Sequence, residues 1–152
     1  MNVTRYLKPG RIVLDLKAAD KRSGMEELMK IFVDSGAVPK GRTDDLLRIL
    51  IERENQSSTG LGNGIALPHA KTDMVDRILV AFGLSREGID FQSPDGEPAH
   101  FIFLVLAPTN ESGEYLKALA AISTVMKDKS NRRRLLHAKT LEEALKIFNP
   151  CE

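Results

Sequence analysis

Two long apolar runs in the second half of the chain most limit the folds it can adopt. Residues 101–107 are apolar without interruption, and residues 77–84 are nearly so. Runs of this kind predict strands that are covered on both faces. The sequence SPDG at residues 93–96 lies between them and is typical of a turn. The pair therefore predicts two strands at the centre of a sheet.

Helical spacing of apolar residues is found on both sides of these strands. Ser23, Thr43 and Thr140 are the expected N-caps of three helices. Leu116 belongs to the apolar stripe that we expect another helix to bury. The spacing predicts five helices, over residues 21–34, from residue 43 onward, over 113–127, around 131–137 and over 141–148. Strands in the middle and helices at both ends indicate a three-layer α/β/α protein.

Length and charge favour one domain over residues 1–152. The chain has 152 residues, with 22 basic and 21 acidic side chains and a net charge of +1. Such a balance predicts no nucleic-acid partner and no polybasic membrane contact. Because no apolar run reaches a span of ~18 residues and no signal-peptide core is seen, we expect a cytoplasmic protein without membrane insertion. We expect a mixed sheet of about four to five strands, with an edge strand within residues 11–16. Cys151 is the sole cysteine, so no internal disulfide is expected.

The segment STGLGNGIALPH at residues 58–69 carries the strongest chemical signal. Gly60, Gly62 and Gly64 allow backbone N–H groups to approach an anion. Residues 65–67 predict a short buried strand, and the proline that follows fixes the backbone just before His69. A histidine held beside an anion-binding loop suggests phosphoryl chemistry on the imidazole itself.

Other interpretations of this segment remain open from the residues alone. Its glycine spacing differs from GxGxxG, and no GK[ST] follows it, so neither a dinucleotide motif nor a Walker loop is favoured. The simplest alternative is a glycine turn beside a packed histidine. His69, His100 and His137 lack metal-ligand spacing, so we expect no metal. No GxSxG motif is found, which disfavours a serine hydrolase.

Several side chains near the glycines could hold a phosphoryl group. Ser58 and Thr59 offer hydroxyl donors, and Arg53, at the end of the second predicted helix, offers a planar guanidinium. Alternatively, Arg53 is a solvated cation at the end of a helix, where a positive charge is favourable, and has no role at the site.

Three strings together resemble enzyme IIA of the phosphoenolpyruvate-dependent phosphotransferase system, in the fructose/mannitol branch that includes the nitrogen-regulatory protein. They are ERE at residues 52–54, the 58–69 segment, and GEPAHFIFLVLAP at residues 96–108. The resemblance covers nearly the whole chain. It implies that His69 accepts a phosphoryl group from an HPr-type carrier and that Arg53 contacts it, with no cofactor. Ser58, Thr59, Gly60 and Gly62 would complete the phosphate site.

One position departs from the family pattern. Tyr115 stands where the family commonly has a second histidine. A phenol can donate a hydrogen bond to a phosphoryl oxygen but cannot carry a proton's charge at neutral pH. The resemblance favours a regulatory output, as in the nitrogen branch, since no IIB or IIC region is seen in the sequence. There are two alternatives. One is a sugar-transport enzyme IIA that passes phosphate to a fructose- or mannitol-type IIB domain. The other is a docking module without phosphotransfer.

Overall fold

A mixed six-stranded sheet forms the centre of the computed structural model, which describes residues 3–111 and 113–149. The strand order is β1-β5-β6-β3-β2, and β4 pairs with β6 beside β3. β5 and β6 are antiparallel, whereas β1 runs parallel to β5, and β3 and β4 run parallel to β6. The strands are β1 (Ile12–Val13), β2 (Gly60–Gly62), β3 (Ile65–Ala66), β4 (His69–Lys71), β5 (Leu79–Ile89) and β6 (Ala99–Ala107). The mixed sheet and the edge strand β1 are confirmed, but the expected four to five strands are too few.

Five α-helices cover the two faces of this sheet in the described part of the chain. They are α1 (Lys21–Asp34), α2 (Thr43–Gln56), α3 (Glu114–Lys127), α4 (Lys129–Leu136) and α5 (Leu141–Phe148). Short 3-10 helices occupy Val3–Arg5, Pro9–Arg11 and Lys40–Arg42. None of the helices in residues 3–111 and 113–149 combines the length and apolar character needed to cross a bilayer.

Two hydrophobic cores, one on each face of the sheet, produce the three layers. Side chains of α1 and α2 pack with alternate residues of β5 and β6 on one face, and side chains of α3, α4 and α5 pack with the remaining ones on the other. On the second face, the Phe148 ring makes edge contacts with Phe82 and Phe103 at centroid distances of 5.3 and 5.9 Å. The α/β/α arrangement predicted from the apolar runs is therefore confirmed.

The helix caps differ in detail from the predictions. Asp20, and not Ser23, is the N-cap of α1, because its carboxylate accepts the Ser23 N–H at 2.8 Å. α2 begins at Thr43 with Arg42 as its N-cap, and the Thr43 hydroxyl donates to the Lys40 oxygen instead. The Thr140 cap of α5 is confirmed.

Leu116 is another correction, since it is 65% exposed instead of buried in the stripe of α3. The prediction about Cys151 concerns a residue outside those that the structure describes.

Candidate active site

His69 begins a strand that the sequence did not predict. β3 and β4 pair one after the other with the same strand, β6, at Ile65↔Phe101 and His69↔Val105. Pro68 lies between them, and its oxygen accepts the Val105 N–H at 3.0 Å. β3 therefore ends at Ala66, two residues before the proline, and β4 begins directly after it. As a result, the backbone of His69 is held in the sheet.

A hydrogen bond to the backbone holds the half-buried His69 ring. Its Nδ1 lies 2.6 Å from the backbone oxygen of Leu67. Because a carbonyl oxygen can only accept, Nδ1 carries the proton and donates it. The neutral imidazole then keeps its free lone pair on Nε2. Nε2 is thus the ring nitrogen whose lone pair is available.

The surroundings of His69 favour the neutral imidazole. Burial lowers the pKa of His69 below its ordinary value of 6.5. The Arg53 cation lowers this pKa further. The hydrogen bond to Leu67 and the Glu54 carboxylate act in the opposite direction and raise it. Burial is the largest of these effects, so the ring is mainly uncharged at pH 7 and its Nε2 lone pair is available.

Arg53, in the last turn of α2, lies within electrostatic reach of His69. Its Nη1 donates to the Ser57 oxygen at 2.9 Å, which directs the guanidinium toward the segment that leaves the helix. The positive charge of Arg53 lowers the pKa of both His69 and Tyr115. The structure therefore brings Arg53, His69 and Tyr115 together at one site.

Tyr115, in the first turn of α3, lies directly beside His69. The two ring centroids are 5.8 Å apart, and the ring planes are inclined by 56°. Burial raises the pKa of Tyr115 to about 12, so the phenol stays neutral. Among the described residues, no hydrogen bond from its hydroxyl is found. The hydroxyl can accordingly donate to a group that arrives at His69.

Glu54 holds the segment between α2 and β2 and was not singled out as a site residue from the sequence. Its buried carboxylate accepts the Thr59 hydroxyl at 2.5 Å and the Thr59 N–H at 2.9 Å. The Lys21 ammonium donates to the same carboxylate at 3.0 Å. Glu54 follows Leu50 by four residues, on the buried stripe of α2, where a charged residue signals a specific partner.

The two hydroxyls expected to bind phosphate are engaged in bonds within the protein. Thr59 is buried and donates to Glu54. The Ser58 hydroxyl donates to the Phe91 oxygen and accepts the Gly60 N–H at 3.0 Å. Both side chains therefore shape the backbone next to Leu67, whose N–H donates to the Thr59 oxygen at 3.1 Å.

Gly60 and Gly62 form a hairpin whose tip the structure does not bring to His69. A Cβ at Gly60 would lie 2.3 Å from the Ser93 Oγ, and Gly62 has a φ of +87°. At the hairpin tip, the Asn63 N–H donates to the Asp95 carboxylate at 2.9 Å. The register places this end of the hairpin four residues along β6 from His69, a distance of about 13 Å. These glycines serve close packing and turn geometry.

Lys71 is a second cation near the site that the sequence analysis missed. It follows His69 by two residues in β4, so both side chains lie on the same face of the sheet. Its Nζ is 5.2 Å from the centre of the Tyr115 ring and donates to the Glu111 oxygen at 2.7 Å. Had β4 been predicted, its alternation would have indicated that Lys71 lies on the same face as His69.

The other two histidines are anchored elsewhere. His100 Nδ1 is 2.7 Å from the Ser85 oxygen, and His137 Nδ1 is 2.9 Å from the Arg133 oxygen. In residues 3–111 and 113–149, no group of three or more His, Cys, Asp or Glu side chains has the geometry to hold a metal ion. The arrangement around His69 can instead present a neutral imidazole nucleophile beside a cation and a phenol donor.

Known proteins are similar to this chain in sequence and in fold. A sequence profile described as "Phosphoenolpyruvate-dependent sugar phosphotransferase system, EIIA 2" matches residues 5–150. The chain is 40% identical over 129 residues to the PTS system fructose-specific EIIA component of Haloferax volcanii, covering 85% of this chain and 82% of that protein. It is 34% identical over 149 residues to the PTS system fructose-specific EIIABC component of Bacillus subtilis, covering 98% of this chain but only 23% of that protein.

The fold also matches the solved structure of a relative from the nitrogen-regulatory group. The crystal structure of nitrogen regulatory protein IIA-Ntr from Neisseria meningitidis superimposes with a TM-score of 0.86 at 32% identity, covering 96% of this chain and 98% of that one. The relatives therefore include both sugar-specific and nitrogen-regulatory proteins. The profile match over nearly the whole sequence shows that this chain belongs to the EIIA 2 family of the phosphoenolpyruvate-dependent sugar phosphotransferase system.

Proposed function

We propose that His69 is the phosphoryl acceptor of this protein and that the phosphoryl group is bound on Nε2. The hydrogen bond from Nδ1 to the Leu67 oxygen carries this proposal. It fixes the tautomer whose lone pair is on Nε2, and burial keeps the ring neutral near pH 7. His69 thereby needs no general base before it attacks, since the attacking nitrogen carries no proton.

The donor is an HPr-type carrier that bears a phosphohistidine. The Nε2 lone pair of His69 forms a bond to phosphorus while the phosphorus–nitrogen bond of the carrier breaks. The electron pair of the broken bond returns to the carrier's ring nitrogen. Nδ1 of His69 keeps its proton and continues to donate it to the Leu67 oxygen through this step. No metal ion and no cofactor take part.

Arg53 and Tyr115 stabilise the phosphoryl group. The guanidinium of Arg53 offers two parallel N–H donors to phosphoryl oxygens, and its charge opposes that of the incoming phosphate. The Tyr115 hydroxyl, beside the His69 ring, donates one neutral hydrogen bond. Ser58 and Thr59 contribute through the backbone position they impose, because their hydroxyls are bonded to Phe91 and Glu54.

Gly60 and Gly62 contribute in the same indirect way. Their lack of side chains allows the hairpin to pack against Ser93 and Asp95, and this packing sets the path of the chain toward His69. At the hairpin tip, the Asn63 N–H donates to Asp95 and is not free for a phosphoryl group at His69.

The carrier docks on the surface around Tyr115. Leu116, next to Tyr115 in α3, is 65% exposed and offers an apolar contact at the edge of the site. A partner seated there covers His69 and excludes water during transfer. We infer a cytoplasmic location, where such carriers act.

The output is regulatory, as in the nitrogen branch, and a target protein reads the state of His69. A phosphoryl group adds about −1.5 to −2 charges to this surface. A second candidate is sugar transport, favoured by the 40% identity to a fructose-specific EIIA component. In that case a IIB domain receives the phosphoryl group. Incubating the phosphorylated chain with a purified fructose-type IIB domain separates the two, since rapid transfer supports transport and retention supports regulation.

A labelling experiment tests the acceptor. The protein is incubated with radiolabelled phosphoenolpyruvate, enzyme I and an HPr-type carrier, beside His69→Ala and the matched variants His100→Ala and His137→Ala. We expect an acid-labile, base-stable phosphohistidine in the wild type and both matched variants, and none in His69→Ala. Label retained in His69→Ala would refute the assignment.

A further inference from the structure

A cavity of about 540 Å³ lies outside the candidate active site. It is enclosed by the chain that follows α1 and by the connection from β4 to β5. Apolar groups, including Val75 and Leu79, form part of its wall. Four charged side chains also line it, namely Arg11, Asp73, Asp76 and Arg77. Nothing in the phosphoryl chemistry proposed for His69 uses this cavity.

Arg11 is the unusual residue in this cavity. It is half-buried, and its guanidinium carbon lies 5.3 Å from the centre of the fully buried Phe32 ring. Among residues 3–111 and 113–149, the guanidinium has no ion pair and donates no hydrogen bond. A partly desolvated cation normally has an anionic partner. The cation–π contact with Phe32 restricts the guanidinium, so binding an anion would cost less additional ordering than at an unrestrained arginine.

The neighbouring charges leave the Arg11 donors available. Arg77 forms an exposed pair with Asp76, at 3.2 Å. Burial lowers the pKa of Arg11, and the nearby Arg77 cation lowers it further. No carboxylate of the protein offsets these effects at Arg11 within the described residues. Asp73 is exposed at the rim and makes no ion pair there.

We propose that this cavity binds a small organic monocarboxylate, whose carboxylate pairs with the Arg11 guanidinium and whose apolar body lies against Val75 and Leu79. The planar guanidinium matches a carboxylate in two parallel hydrogen bonds. The volume exceeds that of a bare carboxylate and leaves room for an organic part. A phosphate dianion is disfavoured relative to a monocarboxylate, because Asp73 and Asp76 line the same cavity and repel two negative charges more strongly than one.

Sodium pentanoate is a suitable probe. Two-dimensional proton–nitrogen NMR spectra of the full chain are recorded during a titration, with sodium chloride at the same ionic strength as the control. We expect saturable shifts at Ala37, Val75 and Leu79, with a Kd in the millimolar range, on the order of what so small a ligand reaches. Inorganic phosphate should bind more weakly.

Variants of Arg11 make the test specific. Arg11→Met removes the charge while keeping an extended side chain over Phe32, and should weaken pentanoate binding about ten-fold or more. Arg11→Lys keeps the charge without the planar guanidinium. Its affinity for pentanoate should lie between those of the wild type and Arg11→Met. Arg134→Met, which removes an exposed arginine of α4, is the matched control and should bind as the wild type does.

Three results would overturn the proposal. They are the absence of saturable shifts with pentanoate, unchanged affinity in a folded Arg11→Met protein, and tighter binding of phosphate than of pentanoate. His69→Ala should bind pentanoate normally, so failure of the phosphoryl-acceptor assignment leaves this test intact.

Discussion

The ring of Tyr115 lies 5.8 Å from the ring of His69, with their planes inclined by 56°. This contact brings the first turn of α3 to the strand that carries the proposed phosphoryl acceptor. Lys71, from the same strand, lies 5.2 Å from the centre of the Tyr115 ring. Two side chains of β4 thus lie against the Tyr115 ring.

Tyr115→Phe should shorten the lifetime of the phosphorylated protein. The change removes one neutral hydrogen bond to the phosphoryl group and leaves the ring packing intact. We expect a loss of about 0.5–1.5 kcal/mol in the stability of the phosphorylated form. Phosphohistidine lifetime, followed by loss of label at several pH values, measures this effect.

Tyr115→His provides the matched comparison. Because the pKa of Tyr115 is raised to about 12, the wild type should show no titration of residue 115 near neutral pH. The introduced imidazole should add a titration near pH 6–7 to the lifetime profile. Superimposable profiles for all three proteins would leave Tyr115 without a role at the phosphoryl group.

Arg53→Lys should slow phosphoryl transfer although it retains the positive charge. An ammonium cannot form the two parallel hydrogen bonds of a guanidinium. Arg53→Ala should slow transfer further, by roughly ten-fold or more, which corresponds to ~1.5–3 kcal/mol. Rapid-quench measurement of transfer from the phosphorylated carrier gives these rates. Wild-type rates in Arg53→Ala would mean that this arginine does not act in transfer.

Glu54→Ala should destabilise the whole fold. It removes the acceptor of the buried Thr59 hydroxyl and the carboxylate partner of the Lys21 ammonium, which then keeps the neutral Gln92 oxygen as an acceptor. Loss of one partner of such a buried pair costs about 3–5 kcal/mol. Glu52→Ala, on the exposed side of the same helix, is the control and should change stability by less than about 0.5 kcal/mol. Urea unfolding measures both, and equal midpoints would contradict the anchoring role of Glu54.

The pKa of His69 should lie below 6.5 in the folded protein, because burial disfavours the imidazolium. The unfolded chain then binds more protons than the folded one as the pH falls below 6.5. The free energy of unfolding should therefore decrease with falling pH until the folded-state pKa is passed. His69→Asn should abolish this part of the pH dependence.

Proton–nitrogen NMR titration of the His69 ring measures the pKa directly. A midpoint above 6.5 would show that Glu54 and the Leu67 oxygen dominate over burial. Phosphorylation rates should follow the same titration, and fall at pH values where the ring becomes protonated.

The sheet centre and the helices were predictable because their signals are local. Residues 101–107 are continuously apolar, and both of their faces are covered in β6. The apolar spacing of residues 21–34 matches the bounds of α1. Cap identity was less certain, since Asp20 and Ser23 are both good caps and only the backbone geometry decides between them.

The glycine segment was harder to predict because its structure depends on distant residues. β2, β3 and β4 have only two or three residues each and exist because they pair with β6 or with one another. The sequence drew attention to His69 and Tyr115, which are adjacent in the structure. Glu54 and Lys71 escaped notice because their partners, Thr59 and Tyr115, lie outside the helix or strand that carries each of them.

The position of the phosphoryl group on the His69 ring tests the central claim most directly. The protein, uniformly labelled with a nitrogen isotope, is phosphorylated by the carrier, and the coupling between phosphorus and each ring nitrogen is measured by NMR. The Nδ1–Leu67 hydrogen bond predicts a phosphorus–nitrogen bond at Nε2 of His69, with Nδ1 still protonated. A phosphoryl group on Nδ1, or on the ring of His100 or His137, would contradict the account.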